Sequence, residues 1–200
     1  MKKYGIIAII LAFVSCSVDE MEQTIFVPDV NDSNLPAYTE WGYNSFGALY
    51  ERAYFLAATD MIPCKITVKN GIITFALSGR IATSSSSYSN REKMTLNISF
   101  PFNEPMNNYK DLMKLHQQTI NFTDPSCEVQ MIRDSKTEAI VVLSGNLFFK
   151  RVQLLRINEK EDRVIISGTF EMTLLRNELP ESLSKGRFDL GIANLYVLPQ

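Results

Sequence analysis

From about Thr39 onward, apolar residues recur at every second position, and no other feature of the sequence restricts the fold as much. A period of two places alternate side chains on opposite faces of a strand, so a long run of it demands a sheet with one face buried. Lys93-Met94-Thr95-Leu96-Asn97-Ile98-Ser99-Phe100 alternates without an error. Val164, Ile166, Gly168, Phe170, Met172 and Leu174 line one face of the longest such run, and Phe188, Leu190 and Ile192 repeat the pattern with Arg187 and Asp189 outward. Half-wet strands of this kind are antiparallel as a rule.

Turn chemistry agrees. Ile62 to Lys69 runs into Asn70-Gly71 and out through Ile72 to Leu77, and Asn-Gly suits the two-residue turn whose central positions both need positive φ. Further strands are expected at 126–132, 139–147 and 147–157, the last two as one strand bent near Gly145. The stretch Ala48–Ala57 has a helical composition but aromatic side chains and strand-like neighbours, and the strand reading is adopted. One short helix is expected at about residues 109–117, capped by Asn108, with Asp111 in its first turn and Tyr109, Leu112 and Leu115 on one face. A helical turn is expected at Pro180–Ser184, and Ser84-Ser85-Ser86-Ser87 reads as a hairpin tip. The fold class is therefore mostly β: an antiparallel β-sandwich or barrel-like sandwich of about eight to ten strands with one short helix.

The N-terminus has a different logic. Lys2 and Lys3 precede an apolar run from Ile6 to Val14, the layout of a secretory signal at 1–15 and too short for a transmembrane helix. Phe13-Val14-Ser15-Cys16 resembles the lipobox of bacterial lipoproteins, with Phe13 where Leu is usual. That resemblance implies cleavage before Cys16 and fatty acylation (palmitate-type chains) of its sulfur. Two or three chains suffice for stable anchoring, each buried methylene contributing roughly 0.8 kcal/mol. Ser17-Val18-Asp19-Glu20-Met21-Glu22 is similar to the acidic export signal of surface lipoproteins of Bacteroidetes, and equally fits a solvated acidic tether. Residues 27–36 are rich in turn formers. The expected organisation is a signal peptide at 1–15, a lipidated cysteine and flexible tether at 16–37, and a single β domain at 38–200.

Charge excludes one class of partner. With 20 basic and 22 acidic side chains the formal charge is −2. Loss of residues 1–15 leaves 18 basic side chains and a charge of −4, which gives nucleic acid no basic footprint. Catalytic constellations are equally thin. Ser-His-Asp or Cys-His chemistry needs a histidine, and His116 stands alone on the expected helix. One His and two mature cysteines have no metal-ligand spacing, so no metal and no cofactor are expected. Paired carboxylates could serve glycoside hydrolysis, but Glu51, Glu92, Asp111, Glu128, Glu171 and Asp189 fall mostly on outward strand steps. Cys64 and Cys127 both sit on apolar faces, where a disulfide and two buried free thiols are open alternatives. Tyr38, Trp41, Tyr43, Phe46, Tyr50, Tyr54 and Phe55 form an aromatic cluster that either fills the core or stacks on sugar rings, with Trp41, Tyr43 and Tyr50 as the candidate ligand-binding residues.

Three segments, Tyr38-Thr39-Glu40-Trp41-Gly42-Tyr43-Asn44-Ser45-Phe46-Gly47-Ala48, Ser167-Gly168-Thr169-Phe170-Glu171 and Gly186-Arg187-Phe188-Asp189-Leu190, together resemble a family of uncharacterised lipoproteins of gut Bacteroidetes, over about residues 38–192. The resemblance implies a mostly β, membrane-anchored protein and carries no catalytic residues. The function expected is that of a lipid-anchored module of the outer membrane or cell surface, non-enzymatic, binding a glycan or an envelope protein. Two rivals stay open: a glycan-active hydrolase using an Asp/Glu pair, and a lipocalin-like carrier of small molecules.

Overall fold

The computed structural model describes residues 23–82, 92–133, 135–157 and 161–198. Eleven strands follow in order: β1 (Ser45–Tyr50), β2 (Ala53–Ala57), β3 (Cys64–Lys69), β4 (Ile72–Ala82), β5 (Glu92–Pro101), β6 (Thr119–Asn121), β7 (Glu128–Arg133), β8 (Lys136–Ile157), β9 (Glu161–Arg176), β10 (Leu179–Ile192) and β11 (Tyr196–Val197). A 3-10 helix, Tyr109–Leu115, separates β5 from β6. Eight strands close into a ring in the order β4, β2, β1, β10, β9, β8, β7, β5, and the β5–β4 pairing completes it. Every pairing around the ring is antiparallel. Of the two architectures compatible with the period-two pattern, the barrel is the one formed. Closure removes most of the free edges that a sandwich would have to protect.

An eight-stranded barrel has an interior just wide enough for side chains to fill, and this one is filled. Phe75 packs against Phe149 and Phe188 with ring centroids 5.7 and 5.4 Å apart, and Phe170 lies 6.5 Å from Phe188. These rings are almost wholly buried, and the alternating residues Met94, Leu96, Ile98 and Phe100 of β5 point at them as their period demands. Asn70 and Gly71 both have positive φ in the β3–β4 turn. The long strand β8 bends at Gly145, whose φ of +132° no other residue adopts readily.

The two ends of the barrel are closed differently. At one end the helix inserts Leu112 and Leu115 into the core, held by Asn108, whose side chain accepts the Lys110 N–H, and by Asp111, which accepts the Asn107 and Asn108 N–H groups. At the other end, Arg133 grips Glu92 through two hydrogen bonds of 2.6 Å, and Arg176 reaches Glu138 at 2.8 Å and Glu181 at 3.6 Å. The Tyr50 hydroxyl, entering from inside the barrel, donates to Glu181. Bidentate arginine–carboxylate pairs tolerate such partial burial because each charge keeps its partner.

Two expectations need correction. Pro180–Ser184 is strand, paired with Leu175–Met172 of β9, so long-range pairing overrides a local helical preference. The proline sits at the second position of β10, beside the hairpin, where a missing N–H costs little. The strand reading of Ala48–Ala57 is realised as a hairpin of two strands, β1 and β2, with Glu51 at φ 53° between them. The flexible tether expected at 16–37 is docked from residue 23 onward: Ala37 donates to Val27, Arg187 pairs with Asp29, and Leu35 is fully buried. Gly47 explains the docking, since a Cβ there would stand 2.3 Å from Pro36 Cδ. The signal segment 1–15, Cys16 and the Ser84–Ser87 tip lie outside the described residues.

The charged end makes stability depend on pH in both directions. Burial, then the Glu181 acceptor, pushes the Tyr50 phenol up to about 12 from its ordinary 10.0, so its contribution is complete below pH 10 and lost as pH rises through 12. Arg133 holds Glu92 below its ordinary 4.5, so that contribution is complete above pH 4.5 and lost on acidification. Urea unfolding across pH is expected to show the alkaline loss in the wild type and a flattened alkaline limb in Tyr50→Phe; parallel profiles would contradict this account.

Candidate functional site

The segments Tyr38–Ala48, Ser167–Glu171 and Gly186–Leu190 meet at one buried acid. Asp189 lies on the outer face of β10, an outward step that sequence alone assigns to solvent, yet it is only 1% exposed. Its Oδ2 accepts the Thr39 hydroxyl at 2.5 Å and the backbone N–H groups of Trp41 and Tyr43 at 3.0 and 3.3 Å. Its Oδ1 accepts the Gly42 N–H at 2.8 Å and the Ser167 hydroxyl at 2.9 Å. A buried carboxylate is tolerable only when its oxygens are saturated in this way, and here the donors come from a loop and a neighbouring strand at once. Asn44 adds a tie of its own by accepting the Gly191 N–H at 2.9 Å. Inside the barrel the same strands interlock, because Gly168 stands opposite Phe188 and Gly186 opposite Phe170 in register. A Cβ on Gly168 would fall 2.5 Å from the Phe188 ring, and one on Gly186 2.8 Å from the Phe170 ring. Each glycine is the space its partner ring occupies.

This lock draws residues 39–44 onto the outside of β9 and β10, and the barrel wall is left with a window. β1 stops pairing with β10 at Ser45–Asp189, so Leu190, Gly191 and Ile192 have a strand neighbour, β9, on one side only. Across from them, Cys64, Lys65 and Ile66 pair with β4 alone, until β11 joins β3 at Thr67–Val68. One strand position is therefore vacant for about three residues, bounded above by Asn44 and below by Tyr196. The resulting cleft has a volume of about 540 Å³, within the range of small-molecule sites. Ile62, Ile66, Leu190 and Ile192 give it apolar walls, Asn44 and Ser78 give it polar points, and the nearly buried Arg163 lines it as well.

The ionisable side chains that line the cleft are few and have partners or are buried. Among its lining residues Asp60 is the one carboxylate, and it is engaged at 2.6 Å by Arg80, whose guanidinium holds the carboxyl below its usual range. Cys64 is its one thiol, and burial pushes that thiol far above the ordinary value, away from the nucleophilic thiolate. Lys65 places its ammonium 4.5 Å from the centre of the Tyr196 ring at the rim. Among the described residues no group of three or more His, Cys, Asp or Glu side chains gathers in a way that could hold a metal ion.

The candidate residues read from sequence do not assemble as a stacking platform. Trp41 is 70% exposed on the loop before β1, Tyr43 is half-buried beside it, and Tyr50 is buried inside the barrel at the far end of β1. Phe46 and Phe55, also of that cluster, are core, with rings 4.8 Å apart. Cys64 and Cys127 are free thiols on β3 and at the start of β7, separated by β4 and β5, so the disulfide alternative is not realised. His116 accepts the Val152 N–H through Nδ1 at 3.1 Å, a structural duty at the end of the helix. The window itself had no sequence signal, since a gap between strands is a property of register and not of any residue.

Asp189→Asn would keep the shape, remove the charge and turn an amide donor toward a set of donors. Hydrogen bonds to charged groups contribute roughly 1.5–3 kcal/mol each, and several are spoiled together, so a loss of about 3 kcal/mol or more in urea unfolding is expected. A loss below about 1 kcal/mol would mean that the lock does not matter. In comparisons with protein-family models, curated proteins and solved structures the chain finds no match, and the reading of the site rests on its geometry.

Proposed function

We propose that this chain is a non-enzymatic binding module, held to the outer membrane of a bacterium by acyl chains on Cys16, and that the wall window is its ligand site. The observation that carries the reading is the vacant strand position between Leu190–Ile192 and Cys64–Ile66, where two strands without a strand neighbour on that side flank apolar side chains. Such a site fits a small amphipathic molecule. Its apolar part meets Ile62, Ile66 and Ile192, while its polar groups meet the backbone of the flanking strands. The carrier reading is thereby favoured over the glycan and protein-partner readings, with one difference from a hollow carrier: the lumen is occupied by phenylalanines, so the ligand sits in the wall. The hydrolase reading has the weaker support, because Asp60 has no second carboxylate beside it in the cleft. Membership of the Bacteroidetes lipoprotein family and an address at the cell surface are part of the same proposal, and they rest on the N-terminal sequence and on the segments Tyr38–Ala48, Ser167–Glu171 and Gly186–Leu190.

Two measurements test the proposal. Anilinonaphthalene sulfonate should bind the folded protein saturably. Ile62→Glu, at a rim position 67% exposed and so harmless to the core, should weaken that binding about tenfold or more, matching the 1.5–3 kcal/mol that burial of an isoleucine contributes. Unchanged affinity would remove the window as the site. Mass spectrometry of the protein from its native host should find Cys16 as an acylated N-terminus, and Cys16→Ala should leave the membrane fraction; an unmodified N-terminus would contradict the anchor.

A further inference from the structure

We propose that Ile25, Phe26 and Trp41 form a patch that seats the barrel on the bilayer, fixing its orientation beyond what a lipid tether alone imposes. The inference rests on the Cys16 anchor of the preceding reading and adds a second point of contact. Six residues separate Cys16 from Gln23, so even a fully extended chain lets Gln23 stand no more than about 25 Å from the acylated sulfur. That reach is short beside the 22-residue β8, which at about 3.3 Å per residue follows a path of roughly 70 Å. The corner where the chain leaves the domain is therefore held toward the membrane.

The patch lies at that corner. Ile25, two residues from Gln23, donates its N–H to the Tyr43 carbonyl at 2.8 Å, which brings the exit segment beside the loop bearing Trp41. Ile25 is 50% exposed, Phe26 46% and Trp41 70%, so all three present apolar surface to the surroundings. Trp41 is the one tryptophan of the chain. An indole with its apolar body and polar N–H is the side chain best suited to the headgroup boundary. The loop is rigidly presented, since the Trp41 backbone N–H is held by Asp189 at 3.0 Å. Beside it the exposed Lys150, its ammonium 4.4 Å from the Tyr38 ring centre, offers positive charge to anionic headgroups. Gln23 and Asn44 also line the window, so a seated barrel would bring the ligand site close to the lipid surface.

The single tryptophan makes the test direct. The full lipidated protein is reconstituted into phosphatidylcholine vesicles containing some phosphatidylglycerol, with or without brominated phospholipid, and Trp41 emission is read alongside acrylamide quenching. Expected are strong quenching by the brominated lipid and a several-fold drop in acrylamide access relative to the protein in detergent-free buffer as the Cys16→Ala form. The Ile25→Glu, Phe26→Glu double variant, altered only at exposed positions, should stay vesicle-bound and lose most of the lipid quenching. Vesicle-bound wild type with unquenched, fully accessible Trp41 would overturn the patch and leave the anchor standing. Wild type that fails to bind vesicles would overturn the anchor and the patch with it, whereas Cys16→Ala that binds as well as wild type with Trp41 quenched would overturn the anchor alone.

Discussion

A single buried carboxylate organises the outside of this barrel. Asp189 gathers a hydroxyl and three backbone N–H groups from residues 39–43, together with the Ser167 hydroxyl from the next strand. Without that acceptor the N–H groups of Trp41, Gly42 and Tyr43 would have to find water or a strand partner, and the most accessible strand partner is the edge of β10 itself. By satisfying them away from the edge, Asp189 keeps the chain from continuing β1 alongside Leu190–Ile192. The window and the outward aim of Trp41 follow from that one diversion, while the docking of residues 23–37 rests on the close approach of Pro36 to Gly47 and on the Arg187–Asp29 pair.

The interior leads to a complementary conclusion. Phenylalanines from β4, β8, β9 and β10 meet at the centre, and the glycines opposite Phe170 and Phe188 let the rings lie flat against the facing strand. Among the described residues one end is plugged by Leu112 and Leu115, the other by the Arg133, Arg176 and Tyr50 network with its three glutamates. The binding site we propose therefore lies in the wall and not in the lumen. The wall is also where the barrel departs from regularity, with one strand position left empty.

Most of the fold was legible because it is written in local rules. Alternation in Met94–Phe100 and Val164–Leu174, the Asn70-Gly71 turn, the bend at Gly145 and the cap at Asn108 each depend on neighbours within a few residues, and each is realised. The sites were not legible for the opposite reason. Asp189 looks like any outward strand acid until the segment 150 residues upstream folds over it. Pro180 looks like a helix start until β9 pairs with it. Trp41, Tyr43 and Tyr50 are close in sequence, yet β1 carries Tyr50 to the far end of the barrel interior while the lock turns Trp41 outward, so proximity along the chain was no guide to a shared surface.

Native-state hydrogen exchange at the amides of Trp41, Gly42 and Tyr43 tests the central claim most directly, because amides in a loop exchange quickly unless an acceptor holds them. The account predicts that these three amides exchange as slowly as the central amides of β9 and β10, despite the exposed indole of Trp41 among them. Exchange at the rate of the free loops, with the strands still protected, would show that Asp189 does not hold this segment and would contradict the origin proposed for the window and the patch.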